Sequence, residues 1–341
     1  MSDNKPGLLD GAIAPWDNNK LFGHQDAETF LAETYRSGKG HHAILIEGPP
    51  GIGKATLAFR FANHVLSHPD PVSAPVFLAD PDPAAPISRQ IASGASHHLL
   101  HLTRPFDEKT GRAKSAITVD EVRRAGRFFS QTSGTGNWRI VIIDPADDMN
   151  RNAANAILKI LEEPPKRAMF LVLSHAPGRL LPTIRSRCLS LNLAPLTERF
   201  VADVLEHLGL GPADPKLLEL AQGSAGEALK LINYGGADIV AAYREVFSSP
   251  GPAARKAMHR LADALSGKDS ETIFDFFVSH IGDDLMQKAR AAAYSGDVSK
   301  AEQLSRLWSS ATERFLVADS YNLDRKQTII GILGDIRSAV A

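Results

Sequence analysis

A glycine-rich loop that ends in a lysine is the part of this sequence best suited to chemistry. The segment reads Gly48, Pro49, Pro50, Gly51, Ile52, Gly53, Lys54 and Ala55. Glycines let backbone N–H groups wrap closely around phosphates, and the following helix N-terminus favours anions. The spacing matches G-x-x-x-x-G-K-[ST] except at the last position, where a hydroxyl should contact Mg²⁺. We therefore predict a phosphate-binding loop with a defective magnesium position; the alternative is a chance Gly-Pro turn.

Two further positions belong to the predicted nucleotide-binding set. Thr56 lies one residue after the expected hydroxyl, and one residue of a helix turns a side chain by about 100°, so we do not expect it to substitute. The apolar run RIVIID ends at Asp144, whose carboxylate could hold the water shell of Mg²⁺. The next residue, Pro145, has no carboxylate to polarise an attacking water. We expect ATP or ADP as the ligands of this loop, bound without turnover.

Alternating strand and helix patterns are expected to position these residues. Apolar runs predict strands at 43–47, 139–144, 169–174 and 188–193. Periodic apolar positions predict helices at 28–37, from 54 onward, at 120–131 and at 150–161. Asp147 and Asp148 are interpreted as charges that cap the last of these helices. Strands that alternate with helices imply parallel βαβ units with a crevice at the C-terminal ends of the strands.

The predicted fold class is α/β, with a P-loop domain and a parallel sheet over residues 1–194. The pattern then becomes helical, with a small bundle at 195–245 and a larger one at 250–341. The aromatic residues expected in the core of the larger bundle, or in contacts with other subunits, are Phe274, Phe276, Phe277, Trp308 and Phe315.

Composition excludes several classes of protein. Cys188 is the single cysteine, which excludes an internal disulfide framework and a multi-cysteine zinc site. His97, His98 and His101 could bind a metal, but the sequence around them alternates like a strand, so we expect no metal. No apolar run reaches the roughly 18 residues that span a bilayer, and the N-terminus lacks the pattern of a signal peptide. These observations favour a cytoplasmic protein that contacts no membrane.

Contact with DNA would need a local basic patch, because the formal net charge is only −1. Arg123, Arg124 and Arg127 lie on adjoining parts of one predicted helix face and could contact DNA phosphates. The alternative, which we favour from sequence alone, is a solvated basic face.

Three segments resemble a known family. They read GPPGIGKAT, DPADDMNRNAANAILKILEEPP and FLVLSHAPGRLLPTIRSRC. They are similar to the delta-prime family of bacterial DNA polymerase III clamp-loader subunits, which belongs to the AAA+ group. The resemblance covers residues 15–235 and implies an AAA+ P-loop domain, a helical lid domain and a helical collar domain that oligomerises.

The function implied by this resemblance is that of a non-hydrolysing stator subunit in DNA replication. Such a subunit assembles with the gamma/tau ATPase subunits and the delta subunit, and helps to load the sliding clamp onto primed DNA. Any DNA polymerase (nucleotidyltransferase) activity then belongs to the holoenzyme and not to this chain alone.

The resemblance also implies roles for single residues. Arg187, in the SRC motif, would reach across a subunit interface as an arginine finger toward ATP held by a neighbour; the alternative is a salt bridge at a helix end. Ser174 falls near the position of a polar sensor residue, although serine is common at strand ends. Gly226 stands where active clamp-loader ATPases carry an arginine that contacts nucleotide. Many relatives carry a four-cysteine zinc module that this sequence lacks, so we expect no zinc.

Two rival functions stay open at this point. An active AAA+ ATPase, either a gamma/tau-type subunit or a DNA helicase motor, would need a magnesium hydroxyl, a catalytic glutamate and a sensor arginine. Ala55, Pro145 and Gly226 stand at those three positions. A plain DNA-binding protein with a vestigial loop would instead contact DNA through the basic face of the 120–131 helix.

Overall fold

The computed structural model describes residues 8–38, 40–107, 112–130, 136–267, 270–321 and 323–340. The chain divides into two compact units, Met1–Gly226 and Glu227–Ala341. The finer division into three domains at 194 and 250 stays a prediction.

A parallel sheet forms the framework of the first unit. The strands are β1 (Ala43–Glu47), β2 (Leu99–Leu102), β3 (Phe106–Asp107), β4 (Arg112–Ala113), β5 (Arg139–Ile143), β6 (Ala168–Ser174) and β7 (Leu189–Asn192). Five of them pair in parallel in the order β2-β5-β6-β1-β7, and β3 and β4 form an antiparallel pair. β2 was not assigned to the sheet from the sequence.

Helices cover the sheet of the first unit and make up the second unit. In chain order they are α1 (Gln25–Arg36), α2 (Lys54–Ser67), α3 (Pro86–Ala92), α4 (Val119–Ser130), α5 (Arg151–Glu162), α6 (Pro182–Arg185), α7 (Glu198–His207), α8 (Pro215–Ala221), α9 (Ala225–Asn233), α10 (Gly236–Ser248), α11 (Gly251–Ala264), α12 (Glu271–Tyr294), α13 (Val298–Ser320) and α14 (Arg325–Val340). The predicted fold class, an α/β domain with a parallel sheet followed by a helical region, is confirmed. Among the described residues, no helix is long and apolar enough to cross a membrane.

Both faces of the sheet are buried, as a parallel sheet requires. Successive residues of a strand point to opposite faces, so Ile44 and Ile46 of β1 join the core beneath α1 and α2, whereas Leu45 joins the core beneath α4 and α5. Leu57 and Val65 of α2 are fully buried in the first of these cores. The central strands are therefore packed on both faces, and the phosphate-binding loop begins at the C-terminal end of one of them.

The core of the second unit contains three of the five aromatic residues named from the sequence. Phe276, Phe277 and Phe315 are buried, whereas Phe274 and Trp308 are half-buried. The Trp308 ring lies directly over Gly282, where an added Cβ would come within 2.7 Å of the indole. A glycine in α12 thus lets α13 pack closely against it.

Candidate functional site

The predicted phosphate-binding loop joins β1 to α2 at the C-terminal edge of the sheet. β1 pairs with β6 and β7 on either side, so the loop emerges from the interior of the sheet. Gly48, Gly51 and Gly53 have φ values of +150°, +73° and +105°, a region that residues with a side chain rarely adopt. The three glycines are therefore required by the backbone path between the strand and the helix.

Lys54 is held inside its own loop. Its side chain is 3% exposed, and its Nζ donates hydrogen bonds to the carbonyl oxygens of Gly48 at 2.6 Å and Pro49 at 2.5 Å. Burial lowers the pKa of Lys54 to about 8, while the nearby carboxylates of Asp144 and Asp147 act in the opposite direction. The structure thus places the ammonium at the N-terminus of α2, close to two acidic side chains.

A turn from the end of the first unit closes over the loop, a contact that sequence reasoning missed. The Gly226 N–H donates to the Gly51 carbonyl at 3.1 Å, and the Ser224 hydroxyl donates to the Pro50 carbonyl at 2.9 Å. We call these four residues the loop clasp. A Cβ added at Gly226 would lie 2.8 Å from the Gly51 Cα atom. Backbone of the turn therefore packs directly against the loop at Gly226, the position at which the sequence resemblance implies an arginine in active relatives.

Ala55, Thr56 and Asp144, the residues considered for magnesium, lie at or beside the loop. Ala55 packs against the hydrophobic core and offers no oxygen, and Thr56 is 8% exposed one residue further along α2. Asp144 directly follows β5, at the same edge of the sheet as the loop, and its Oδ2 lies 3.6 Å from Nε2 of His101. The residue after it is Pro145, as the sequence requires. The structure therefore brings together a lysine and an aspartate, without a hydroxyl at the expected position or a glutamate after the aspartate.

Ser174, the candidate sensor, is bound by a carboxylate. It is fully buried at the end of β6, and its hydroxyl donates to Oδ1 of Asp147 at 2.8 Å. The same carboxylate accepts hydrogen bonds from the backbone N–H groups of His175 at 2.6 Å and Ala176 at 3.3 Å. Asp147 thus joins the ends of β5 and β6 beside the loop.

The expectation that Asp147 and Asp148 cap α5 is wrong. Both lie in a single 3₁₀ turn, and the N-cap is Asn150, whose side chain accepts from the N–H of Ala153. Asp148 instead forms an ion pair with Arg104 at 3.0 Å. The difference arises because the chain makes an extra turn between β5 and α5, which moves both carboxylates away from the helix start.

Arg187 lies at the N-terminal ends of the strands, whereas the loop follows their C-terminal ends. It precedes β7, whose first residue, Leu189, pairs in parallel with Ile44 at the start of β1. The loop follows the end of β1, so about 15 Å of strand separates the two edges, at roughly 3.3 Å per residue. The guanidinium is 35% exposed and contacts Glu162 at 2.8 Å and the Thr183 carbonyl at 3.0 Å. Arg187 therefore cannot reach a phosphate bound in the loop of its own chain.

The basic face of α4 is partly neutralised by its own helix. Arg123 pairs with Asp120 at 2.9 Å, and Arg124 pairs with Glu121 at 2.5 Å. Arg127 is exposed one turn further along. These pairs are compatible with a solvated face, and contact with DNA stays a prediction.

The three histidines are divided between β2 and the segment that precedes it. His101 is within β2, as the alternating sequence indicated, whereas His97 and His98 precede the strand. In the part of the chain that the structure describes, no three His, Cys, Asp or Glu side chains are grouped so that they could hold a metal ion.

Comparison with known proteins decides the family. The family model described as DNA polymerase III, delta subunit, matches residues 23–197, a span that contains both the loop and Arg187. The chain belongs to this family. The resemblance inferred from the sequence motifs is thereby confirmed.

Individual relatives match over part of their length. The chain is 36% identical over 200 residues to DNA polymerase III subunit delta' of Pseudomonas aeruginosa, which is 57% of this chain and 56% of the relative. It is 30% identical over 207 residues to subunit delta' of Escherichia coli, 59% of this chain and 57% of the relative. The aligned region thus spans a little more than half of these relatives.

A solved gamma subunit-related protein of DNA polymerase III from Thermotoga maritima is 19% identical, with a TM-score of 0.40, and the match covers 94% of this chain and 100% of that one.

Proposed function

We propose that the chain is a clamp-loader subunit of DNA polymerase III that does not hydrolyse ATP itself. In this proposal it assembles with gamma/tau and delta subunits and helps to place a sliding clamp on primed DNA. Family membership and the relatives named subunit delta' support the proposal. The chain's own chemical contribution would be Arg187, offered to ATP bound by a neighbouring subunit.

The observation that carries this proposal is the placement of Arg187 relative to the loop. Arg187 precedes β7 and the loop follows β1, so they lie at opposite edges of a parallel sheet. A guanidinium stays charged and its planar fork matches phosphate oxygens, but this one can contact only a phosphate held by another chain. Arginine fingers of this kind contribute roughly 10³–10⁵ in rate in the best-studied GTPases, because they stabilise charge that develops in the transition state.

The loop fits the phosphates of a nucleotide but lacks the groups needed for turnover. Its glycines, its helix N-terminus and Lys54 supply donors and positive charge for ATP or ADP, whose phosphates would provide the matching negative charge. Ala55 leaves the magnesium position without a hydroxyl, and Pro145 leaves the attacking water without a base. The loop clasp fills the place of the sensor arginine. ATP or ADP bound there would therefore stay intact.

The first test is ATP turnover by the isolated chain. We expect nucleotide binding without measurable Mg²⁺-dependent hydrolysis, and no change in hydrolysis on Lys54→Ala. Clear turnover that Lys54→Ala abolishes would instead establish the alternative function, an active ATPase of the gamma/tau or helicase type.

The second test is the ATPase of the reconstituted loader, stimulated by clamp and primed DNA, with Arg187→Ala. A large fall is expected while assembly stays intact. Arg185→Ala is the matched control, because Arg185 is an exposed arginine at the end of α6, two residues before Arg187. An equal rate for the wild type and Arg187→Ala would refute the role in trans.

DNA contact by α4 is tested in the same assembly. Replacing Arg123, Arg124 and Arg127 by alanine removes three cations, and each lost phosphate contact should reduce the slope of log affinity against log salt by about 0.9. An unchanged slope would mean that this face is solvated and takes no part in DNA binding.

A further inference from the structure

The ion pair between Arg187 and Glu162 joins the two motifs that resembled the family, LEEPP and SRC. Glu162 is the last residue of α5, and its Oε1 lies 2.8 Å from a terminal nitrogen of Arg187. The other terminal nitrogen donates to the Thr183 carbonyl in α6 at 3.0 Å. Both terminal nitrogens of the guanidinium, the groups that a phosphate would contact, are therefore engaged within the chain.

We propose that Glu162 holds Arg187 in a retracted position and competes with the neighbour's γ-phosphate for its guanidinium. The proposal rests on the proposed function, in which Arg187 acts in trans. Glu162 touches neither ATP nor the reacting atoms, so it is a positioning residue. Its effect is to restrain hydrolysis until the assembled loader brings a phosphate close enough to replace the carboxylate.

The helix end strengthens the hold on Arg187. Glu162 lies at the C-terminus of α5, where the partial negative charge of the helix dipole disfavours a carboxylate. Arg187 neutralises this charge, and its departure would leave Glu162 unneutralised at an unfavourable position. Retraction is therefore favoured by two contacts and by the electrostatics of the helix end.

The pair is nevertheless weak enough to open. The Arg187 and Glu162 side chains are 35% and 49% exposed, so water screens their attraction. Exposed ion pairs are worth about 0.2–1 kcal/mol, which corresponds to a preference of about 1.4- to 5-fold. A γ-phosphate that carries more charge than a carboxylate can then displace Glu162 once it is positioned.

The test is the ATPase of the reconstituted loader with Glu162→Gln, measured with and without clamp and primed DNA. Without them we expect a rise of about 1.4- to 5-fold, the worth of the pair, and a smaller relative rise in their presence. Glu163→Gln is the matched control, because it removes the same charge from the adjacent exposed position and leaves the pair intact. The ratio of stimulated to unstimulated rate is the readout that a purely structural role would not move.

Four further outcomes separate the possibilities. A rate for Glu162→Gln equal to that of Glu163→Gln would overturn the proposal, and a lowered rate would show that Glu162 orients the finger for catalysis. The double variant Glu162→Gln/Arg187→Ala should match Arg187→Ala, since a rise that survives the loss of Arg187 does not act through it. If Arg187→Ala alone changes nothing, the proposed function fails, and this result is distinct from a failure of the Glu162 proposal. Unfolding midpoints of the single chains are the check that the variants fold equally well.

Discussion

Gly226→Ala is the sharpest perturbation of the loop clasp, because two physical effects predict opposite signs. Gly226 lies in the first turn of α9, where replacing glycine by alanine favours the helix by up to about 1 kcal/mol. An added Cβ would, however, lie 2.8 Å from the Gly51 Cα atom, and that neighbour is backbone that cannot rotate away. Overpacking of this kind costs about 1–3 kcal/mol. We expect a net loss of roughly 1–2 kcal/mol of unfolding free energy.

Gly126→Ala supplies a control in the same unit. Gly126 lies inside α4, and its added Cβ would meet only the Ile160 Cδ1 atom, at an ordinary contact distance of 3.8 Å. Helix preference then acts without a clash, so this variant should gain about 0.5–1 kcal/mol. The two substitutions are chemically identical and should shift stability in opposite directions.

Urea and thermal unfolding of the isolated chain measure both variants. For a unit of this size, 1 kcal/mol shifts the midpoint by about 2–4 °C, so Gly226→Ala should lower Tm by roughly 2–8 °C. A Gly226→Ala variant as stable as Gly126→Ala would show that the turn does not pack on the loop. The account of why no sensor arginine fits at this position would then be wrong.

Three other outcomes are expected from the packing and charges of the chain. Burial, and secondarily the charge of His68, lowers the pKa of His64 to about 4, so the folded protein binds fewer protons than the unfolded one as the pH falls from 6.5 toward 4. The free energy of unfolding should therefore fall by on the order of 3 kcal/mol over this range. Urea unfolding at both pH values should show that His64→Phe removes most of this fall. Asp147→Asn should cost about 1–3 kcal/mol, because its carboxylate accepts three hydrogen bonds at the loop edge, whereas Asp120→Asn at an exposed pair should cost under about 1 kcal/mol in the same assay. Leu316 is 64% exposed on α13, and since stable subunit interfaces are apolar, Leu316→Glu should leave the unfolding midpoint unchanged but weaken incorporation into the loader on size-exclusion chromatography.

Strands of the sheet could be predicted from the sequence where burial on both faces makes the strand a continuous run of apolar residues. β1, β5 and β6 are buried along nearly their whole length, so their sequences contain few polar residues, and their ends were placed within about a residue. β2 was missed as a sheet strand because it lies at the edge, is only partly buried, and carries His101 in its middle. A partly buried edge strand therefore lacks the continuous apolar run by which a buried strand is recognised.

The contacts that define the candidate site could not be predicted in the same way. The clasp joins Gly51 to Gly226 through backbone atoms, and a glycine shows neither its partner nor its hydrogen bond in the sequence. Asp147 was assigned to a helix start because only its distance along the chain was visible, while its partners follow β6. Glu162 and Arg187 were each recognised within a motif, but their pairing depends on how α5 and α6 pack. Local pattern located the residues, and long-range packing determined their partners.

The clasp and the Arg187–Glu162 pair lie at opposite edges of one sheet, and this separation has a consequence for evolution as well as for experiment. Mutations more than about 7–10 Å apart without shared partners act additively, so a change at Gly226 should not alter what Arg187 does. In the proposed function, the loop could therefore lose its own turnover through Ala55, Pro145 and Gly226 while Arg187 stayed fully able to serve a neighbour. A single active site within the chain would not allow this, since the finger and the phosphate would share partners. In the proposed function, this geometry would let a subunit keep one half of an ATPase site after the other half has ceased to work.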